Sequence, residues 1–150
     1  MANSMRTQSI QHVCVYDVLE KNRGKVIYFD FWARWCPPCL AEMEPLKQLR
    51  SKFSTDDLII YSICVSEPKE QWEECLNEYS LRNRGIECVH VTDYLGIDNY
   101  QKIRKQWKID RMPYYILINR KGQIIDFGTA ARPSNPQLVS RIEEAVKDTK

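Results

Sequence analysis

The motif Cys36-Pro37-Pro38-Cys39 closely follows the apolar run Val26–Trp32, and this junction constrains the fold more than any other part of the chain. The apolar run predicts a buried strand, and the helical spacing of apolar residues after the motif predicts a helix. Unpaired N–H groups at the start of a helix favour a thiolate over a thiol. Two thiols on one helical turn can also reach each other. The junction therefore indicates a chain that makes and breaks one disulfide.

A zinc site is the alternative for two cysteines at this spacing, because structural zinc needs four ligands and often takes them from two such pairs. The chain has six cysteines and two histidines, but no second close pair. Redox chemistry is therefore favoured, and no metal or other cofactor is expected. The remaining cysteines lie in apolar patterns and are expected to be buried and inert: Cys14, Cys64, Cys75 and Cys88.

The length and net charge of the chain limit its domain organisation and its binding partners. The chain has 150 residues and a net charge of +2, which suits one globular domain and argues against binding to nucleic acid or an anionic membrane. It lacks the run of roughly 18 apolar residues that a membrane span needs, and its polar start lacks a signal peptide. We expect residues 1–9 to be a flexible segment, partly of vector origin, and residues 10–150 to form a single, monomeric domain. The location is then cytoplasmic, or the chain is a mature or excised piece of an exported protein.

Strand and helix patterns alternate along the chain, which predicts an α/β fold with a mainly parallel first half. Pro45 is expected to kink the first helix, Asn135 to cap the last one, and Tyr114 and Tyr115 to face opposite sides, one inward and one outward. Strands are predicted at Ile10–Tyr16, Val26–Trp32, Leu58–Val65, Ile86–Val91, Tyr114–Asn119 and Gln123–Gly128, the last two forming a hairpin. Helices are predicted at Pro37–Lys52, Lys69–Leu81, Asn99–Trp107 and from Pro136 onward.

These motifs together resemble the thioredoxin-like superfamily. The segment from Asp30 to Cys39 is similar to the thioredoxin active site, and Met112-Pro113 before a strand is similar to the cis-proline loop of that fold. The longer motif that runs from Trp35 through the two cysteines to Glu42, together with the inserted helix Lys69–Leu81, resembles the TlpA/ResA-like branch of exported bacterial thiol-disulfide oxidoreductases. Within that branch, the chain resembles the form found as C-terminal domains in the Bacteroides group. The resemblance implies a thioredoxin-like three-layer sandwich, with a central mixed β-sheet flanked by helices, and a periplasmic or cell-envelope location.

The resemblance also implies roles for the catalytic residues. Cys36 would be the exposed nucleophile and Cys39 the inner cysteine that resolves the mixed disulfide. Asp30, partly desolvated at the end of an apolar strand, would accept the proton of Cys39; a local capping role is the alternative. Glu42 would tune the thiols, or else would be an ordinary solvated helix glutamate. Departures from the family pattern are Asp30 itself, where many branch members have asparagine, and the absence of a lysine in Leu58–Val65, which thioredoxins carry on that strand.

Substrate contacts are predicted around the same motif. Trp35, Pro37 and Pro38 would border the dithiol, while Met112 and a cis Pro113 would offer backbone hydrogen bonds to an extended substrate segment; a trans turn proline is the alternative. The predicted partners are a disulfide-containing protein and an upstream thiol that donates electrons. Two other functions stay open, namely a disulfide-donating oxidase and a non-catalytic interaction module of a larger protein.

Overall fold

A five-stranded sheet forms the centre of the part of the chain that the structure describes. The computed structural model describes residues 18–66, 68–91 and 97–149. The strands are β1 Val26–Trp32, β2 Leu58–Cys64, β3 Ile86–His90, β4 Tyr114–Ile118 and β5 Ile124–Gly128, and their order is β3-β2-β1-β4-β5. Strands β1, β2 and β3 are parallel, whereas β4 is antiparallel to both β1 and β5. The predicted parallel half and closing hairpin are confirmed, and the predicted strand Ile10–Tyr16 lies outside the described residues.

The described residues include five helices that connect or flank the strands: α1 Pro37–Ala41, α2 Met43–Lys52, α3 Lys69–Glu78, α4 Ile97–Gln106 and α5 Pro136–Lys147. The start of α5 is as predicted, because the side chain of Asn135 accepts a hydrogen bond of 3.0 Å from the N–H of Gln137. The prediction of one helix over Pro37–Lys52 is wrong, because the helix is interrupted at Glu42. Pro45 has no N–H for the carbonyl of Ala41 and its ring crowds that carbonyl, so its effect falls one turn earlier.

Apolar side chains cover both faces of the sheet, which gives the predicted three layers. Odd-numbered residues of β1, such as Phe29, pack on one face in a cluster that also contains Val18 and Ile109. Even-numbered residues, such as Tyr28, pack against α2 and α5. Strand β4 lies next to β1 near the middle of the sheet and is covered on both sides.

The prediction that one of Tyr114 and Tyr115 points outward is wrong. They face opposite sides of the sheet, but each side chain meets a covered face, and both are buried. Alternation along a strand predicts a solvent face only when the sheet has one uncovered side. Within the described residues no helix combines the length and apolar character needed to cross a bilayer. The predicted domain start at residue 10 stays a prediction.

Candidate active site

The two cysteines of the motif are joined by a disulfide at the start of α1. Their Cα atoms are 5.3 Å apart. Cys36 occupies the position before the helix, where its Sγ accepts the N–H of Cys39 at 3.3 Å and its carbonyl accepts the N–H of Leu40 at 3.1 Å. Pro37 and Pro38 carry no N–H, so these are the first two donors of the helix. Both donors are therefore directed at Cys36, and a hydrogen bond to its sulfur favours the thiolate.

Both sulfur-bearing residues are buried in the disulfide form. Cys36 is 4% exposed and Cys39 is 2% exposed, so the prediction of an exposed Cys36 is wrong for this form. The reason is packing: both belong to a cluster with Trp32, against which Met112 also lies. The distinction between the two cysteines is positional, because Cys36 lies in the turn beside Trp35, which is 69% exposed, and Cys39 lies inside the helix.

The turn that carries the motif is attached to Ser66, at the end of β2. The hydroxyl of Ser66 accepts the N–H of Arg34 at 2.9 Å and lies 3.3 Å from the thiol sulfur of Cys64. The carbonyl of Ser66 lies 2.7 Å from Nε2 of the buried His90. These contacts hold the turn against β2 and β3. Sequence reasoning missed Ser66, because a single serine after a strand carries no distinguishing pattern.

Asp30 lies in β1 behind the motif, on the same face of the sheet as Trp32. It is buried, and its neighbours across the ladder are Ser62 of β2 and Tyr115 of β4. Burial raises the pKa of the Asp30 carboxyl to about 8, and the charge of Glu42 adds to the rise. The desolvation predicted from the sequence is thus present. A carboxyl with a pKa near 8 exists in both protonation states near neutral pH, as proton transfer requires.

Glu42 lies at the break between α1 and α2, and its side chain is only 13% exposed. Its two oxygens accept hydrogen bonds from the N–H of Ser134 at 3.0 Å and from the Ser134 hydroxyl at 2.7 Å. Nε of Arg132 lies 3.8 Å away. Glu42 is therefore held in place rather than freely solvated. Sequence reasoning missed these partners because they lie some ninety positions further along the chain.

The cis-proline loop faces the same cluster. The peptide bond between Met112 and Pro113 is cis, Pro113 is buried, and its carbonyl accepts the hydroxyl of Thr129 at 2.8 Å. Met112 packs against the cluster that contains both cysteines. Across the motif, Pro37 and Pro38 are exposed. The structure thus brings the predicted substrate-contacting residues around one disulfide, while their contacts with a substrate stay a prediction.

The other described thiols have the character of structural cysteines. Cys64 and Cys75 are buried as predicted, whereas Cys88 is only half-buried. Burial raises the pKa of all three thiols, that of Cys88 to about 11. Raised values keep them protonated and unreactive near neutral pH. Cys14 lies outside the described residues. Within the described part of the chain, no three His, Cys, Asp or Glu side chains are grouped closely enough to hold a metal ion.

Replacing Glu42 by glutamine is expected to lower the pKa of Asp30 by roughly one unit, because a like charge that disfavours the carboxylate is removed while the side-chain shape is kept. The measurement is an NMR titration of the Asp30 carboxyl carbon in the reduced protein. Glu44→Gln is the matched control, since Glu44 is exposed on α2 and pairs with Lys47. An Asp30 midpoint that moves upward or stays in place in Glu42→Gln would contradict this electrostatic account.

Comparisons with known proteins agree with this geometry. A sequence model of the Redoxin family matches residues 7–146. Thiol-disulfide oxidoreductase ResA of Halalkalibacterium halodurans is 25% identical over 129 residues, which cover 86% of this chain and 66% of that relative. The chain thus spans slightly less than two thirds of the length of that relative.

Two solved structures from Bacteroides vulgatus show the same fold. One, a solution structure of a protein assigned as a thiol-disulfide oxidoreductase, is 32% identical, with a TM-score of 0.66 and coverage of 84% of this chain and 76% of the other. The second, the thioredoxin domain of a thiol-disulfide oxidoreductase, is 22% identical, with a TM-score of 0.71 and coverage of 86% and 84%. The predicted thioredoxin-like fold and the predicted resemblance to ResA-like oxidoreductases are confirmed by these matches.

Proposed function

The chain belongs to the Redoxin family, and we propose that it reduces disulfides of other proteins through the Cys36–Cys39 pair. The observation that carries the proposal is the disulfide between these residues at the start of α1, with the buried carboxyl of Asp30 in the strand behind it. Relatives with similar sequences are thiol-disulfide oxidoreductases. The position of the pair, the buried carboxyl behind it and the activity of similar proteins therefore all support a redox-active dithiol.

The reaction begins with the reduced protein. The Cys36 thiolate attacks one sulfur of a substrate disulfide, a mixed disulfide forms, and the other substrate sulfur leaves as a thiolate. The hydrogen bond from the Cys39 N–H favours the Cys36 thiolate before attack. This step joins the protein and its substrate through one S–S bond, in place of the S–S bond that was broken in the substrate.

The second step resolves the mixed disulfide. Cys39 gives its proton to the Asp30 carboxylate, and the resulting thiolate attacks the Cys36 sulfur. The Cys36–Cys39 disulfide forms, the second substrate thiolate leaves, and two electrons have passed to the substrate. The protein ends in the disulfide form of this structure. An upstream thiol must then reduce the pair before another cycle.

The surrounding residues support protein substrates rather than small disulfides. Trp35, Pro37 and Pro38 give the motif an exposed, largely apolar border, and the Met112–Pro113 loop lies against the same cluster. An extended chain that pairs with the loop backbone would place its cysteine over Cys36. By resemblance, we propose that these substrates are exported proteins in the periplasm or cell envelope, and the location is tested by fractionating cells that express the native gene.

The activity is tested with insulin as a probe protein disulfide and dithiothreitol as the electron supply. The wild-type protein is expected to accelerate insulin reduction well above the dithiothreitol background. The double substitution Cys36→Ser and Cys39→Ser should return the rate to background, and Cys88→Ser, which changes a half-buried thiol outside the pair, should leave it unchanged. A wild-type rate equal to background would contradict the proposal and favour a non-catalytic binding role.

A further inference from the structure

A row of polar side chains crosses the sheet at the level of Asp30. The strand registers place Cys88, Ser62, Asp30 and Tyr115 side by side, one on each of four neighbouring strands. Residues paired across a ladder point to the same face. All four therefore lie on the face covered by the helices that carry the motif, where most other side chains are apolar.

Among the described residues, the Tyr115 hydroxyl is a fully buried polar group of this row that has no hydrogen-bond partner. The residue is 0% exposed. Its ring stacks on that of Tyr28, with centroids 5.7 Å apart and planes 4° from parallel. The stacked neighbour is satisfied, because the Tyr28 hydroxyl donates to the carbonyl of Ala131 at 2.6 Å. A buried hydroxyl is rarely left without a partner in the working state of a protein.

The groups that surround the Tyr115 hydroxyl come from several elements. Three charged groups act on the hydroxyl itself: Asp30 of β1, Glu42 between α1 and α2, and Arg132 after β5. Ser62 of β2 and Cys88 of β3 lie further along the row, beyond Asp30, and Asp126 of β5 acts on the stacked Tyr28. Two of these more distant groups already have partners. Ser62 accepts the indole N–H of Trp32 at 2.9 Å, and Asp126 pairs with Arg141 at 2.8 Å.

Two carboxylates remain as acceptors for this hydroxyl. Glu42 already accepts two hydrogen bonds from Ser134 and faces Arg132. Asp30 lies directly opposite Tyr115 in the ladder and exerts the largest charge effect on its hydroxyl, ahead of Glu42. Asp30 is therefore the better placed acceptor.

We propose that Tyr115 is a positioning residue for Asp30: in the reduced protein its hydroxyl donates a hydrogen bond, directly or through one water molecule, to the Asp30 carboxylate. The inference rests on the proposed function only for the role of Asp30. When Cys39 loses its proton, the S–H bond breaks and the proton passes to Asp30, while Tyr115 keeps its own proton throughout. A hydrogen bond to the carboxylate favours the form that can accept the proton, and so partly offsets the effect of burial.

The test compares two Tyr→Phe substitutions that each remove one oxygen. Tyr115→Phe keeps the ring that stacks on Tyr28, and Tyr114→Phe is the matched control, because Tyr114 is also buried but lies on the opposite face, where its hydroxyl donates to the carbonyl of Trp107. The Asp30 carboxyl carbon is titrated by NMR in each reduced protein. We expect the midpoint to rise by about one pH unit in Tyr115→Phe, since a hydrogen bond to a charged group is worth about one tenfold step, and to stay in place in Tyr114→Phe.

Three results would overturn the inference. An unchanged Asp30 midpoint together with a higher melting temperature in Tyr115→Phe would mean that the hydroxyl is without a partner in the reduced protein too. A shift in the titration of Glu42 in place of Asp30 would assign the hydrogen bond to Glu42. Equal shifts in both variants would indicate a general structural effect. Because the titration uses no substrate, it can succeed even if the protein fails to reduce insulin, so the two proposals fail separately.

Discussion

Replacing Cys39 by serine is expected to leave the protein covalently joined to its substrate through Cys36. The first attack needs only the Cys36 thiolate, which retains the N–H of residue 39 as a hydrogen-bond donor. The second attack needs a thiolate at position 39, and a serine hydroxyl is far too weak an acid to supply an equivalent nucleophile. Turnover should therefore fall to background while the mixed disulfide accumulates. Intact mass spectrometry and non-reducing gels measure this adduct directly with insulin as the substrate.

The reciprocal variant, Cys36→Ser, separates the roles of the two cysteines. Cys36→Ser should form no adduct and have no activity, because the thiol that lies in the turn beside the exposed Trp35 is missing. Cys64→Ser is the matched control, since Cys64 is a free, buried thiol in the same cluster, and it should behave like the wild type. An adduct that forms in Cys36→Ser and involves Cys39 would show that the assigned order of attack is reversed.

Asp30→Asn is expected to slow the release of substrate from the mixed disulfide by about 10²–10⁴-fold at pH 9, the usual contribution of a positioned general base. In the wild type this step should accelerate as the pH rises, with a midpoint near the Asp30 pKa of about 8, because only the carboxylate accepts the proton of Cys39. The variant should lose that midpoint. Stopped-flow measurement of the resolving step over pH 6 to 10 checks the profile, and Asp56→Asn, at an exposed turn position, is the control.

The same substitution has a predicted effect on stability. The pKa of Asp30 is raised in the folded state, so its contribution is fully present below the unfolded value near 4 and is lost as the pH rises through about 8. Each unit of pKa difference is worth about 1.4 kcal/mol. The unfolding free energy of the wild type should therefore fall between these limits, and Asp30→Asn should be the more stable protein at pH 9. Urea unfolding of the reduced proteins measures this free energy. An Asp30→Asn variant that is less stable than the wild type at pH 9 would contradict the claim that burial of the ionised Asp30 destabilises the fold.

The sequence predicted the sheet and the disulfide well because both depend on local patterns. An apolar run such as Val26–Trp32 can be recognised as a buried strand by itself, and the spacing of Cys36 and Cys39 limits their chemistry. The cap at Asn135 is likewise a local signal. The position of the helix break was not predicted, because the effect of Pro45 is felt by the carbonyl of Ala41 and depends on which turn can open.

Other features depend on contacts between distant segments. The covering of both faces of β4 made Tyr115 a buried residue, and only the assembled layers determine this. The attachment of Glu42 to Arg132 and Ser134 joins a helix end to a loop near the end of the chain. Packing in the disulfide form also hides Cys36, which a view of the motif as an open helix start does not anticipate.

The reduction potential of the Cys36–Cys39 pair tests the central claim most directly. Trp32 lies in the same cluster as the pair and Trp35 is its neighbour in the chain, so tryptophan fluorescence can follow the equilibrium in a thiol redox buffer. A dithiol that reduces other proteins should have a potential below about −230 mV, towards the thioredoxin value of about −270 mV. A potential above about −180 mV, towards the value of about −120 mV of strong oxidants, would mean that the pair donates disulfides and would contradict the assigned direction.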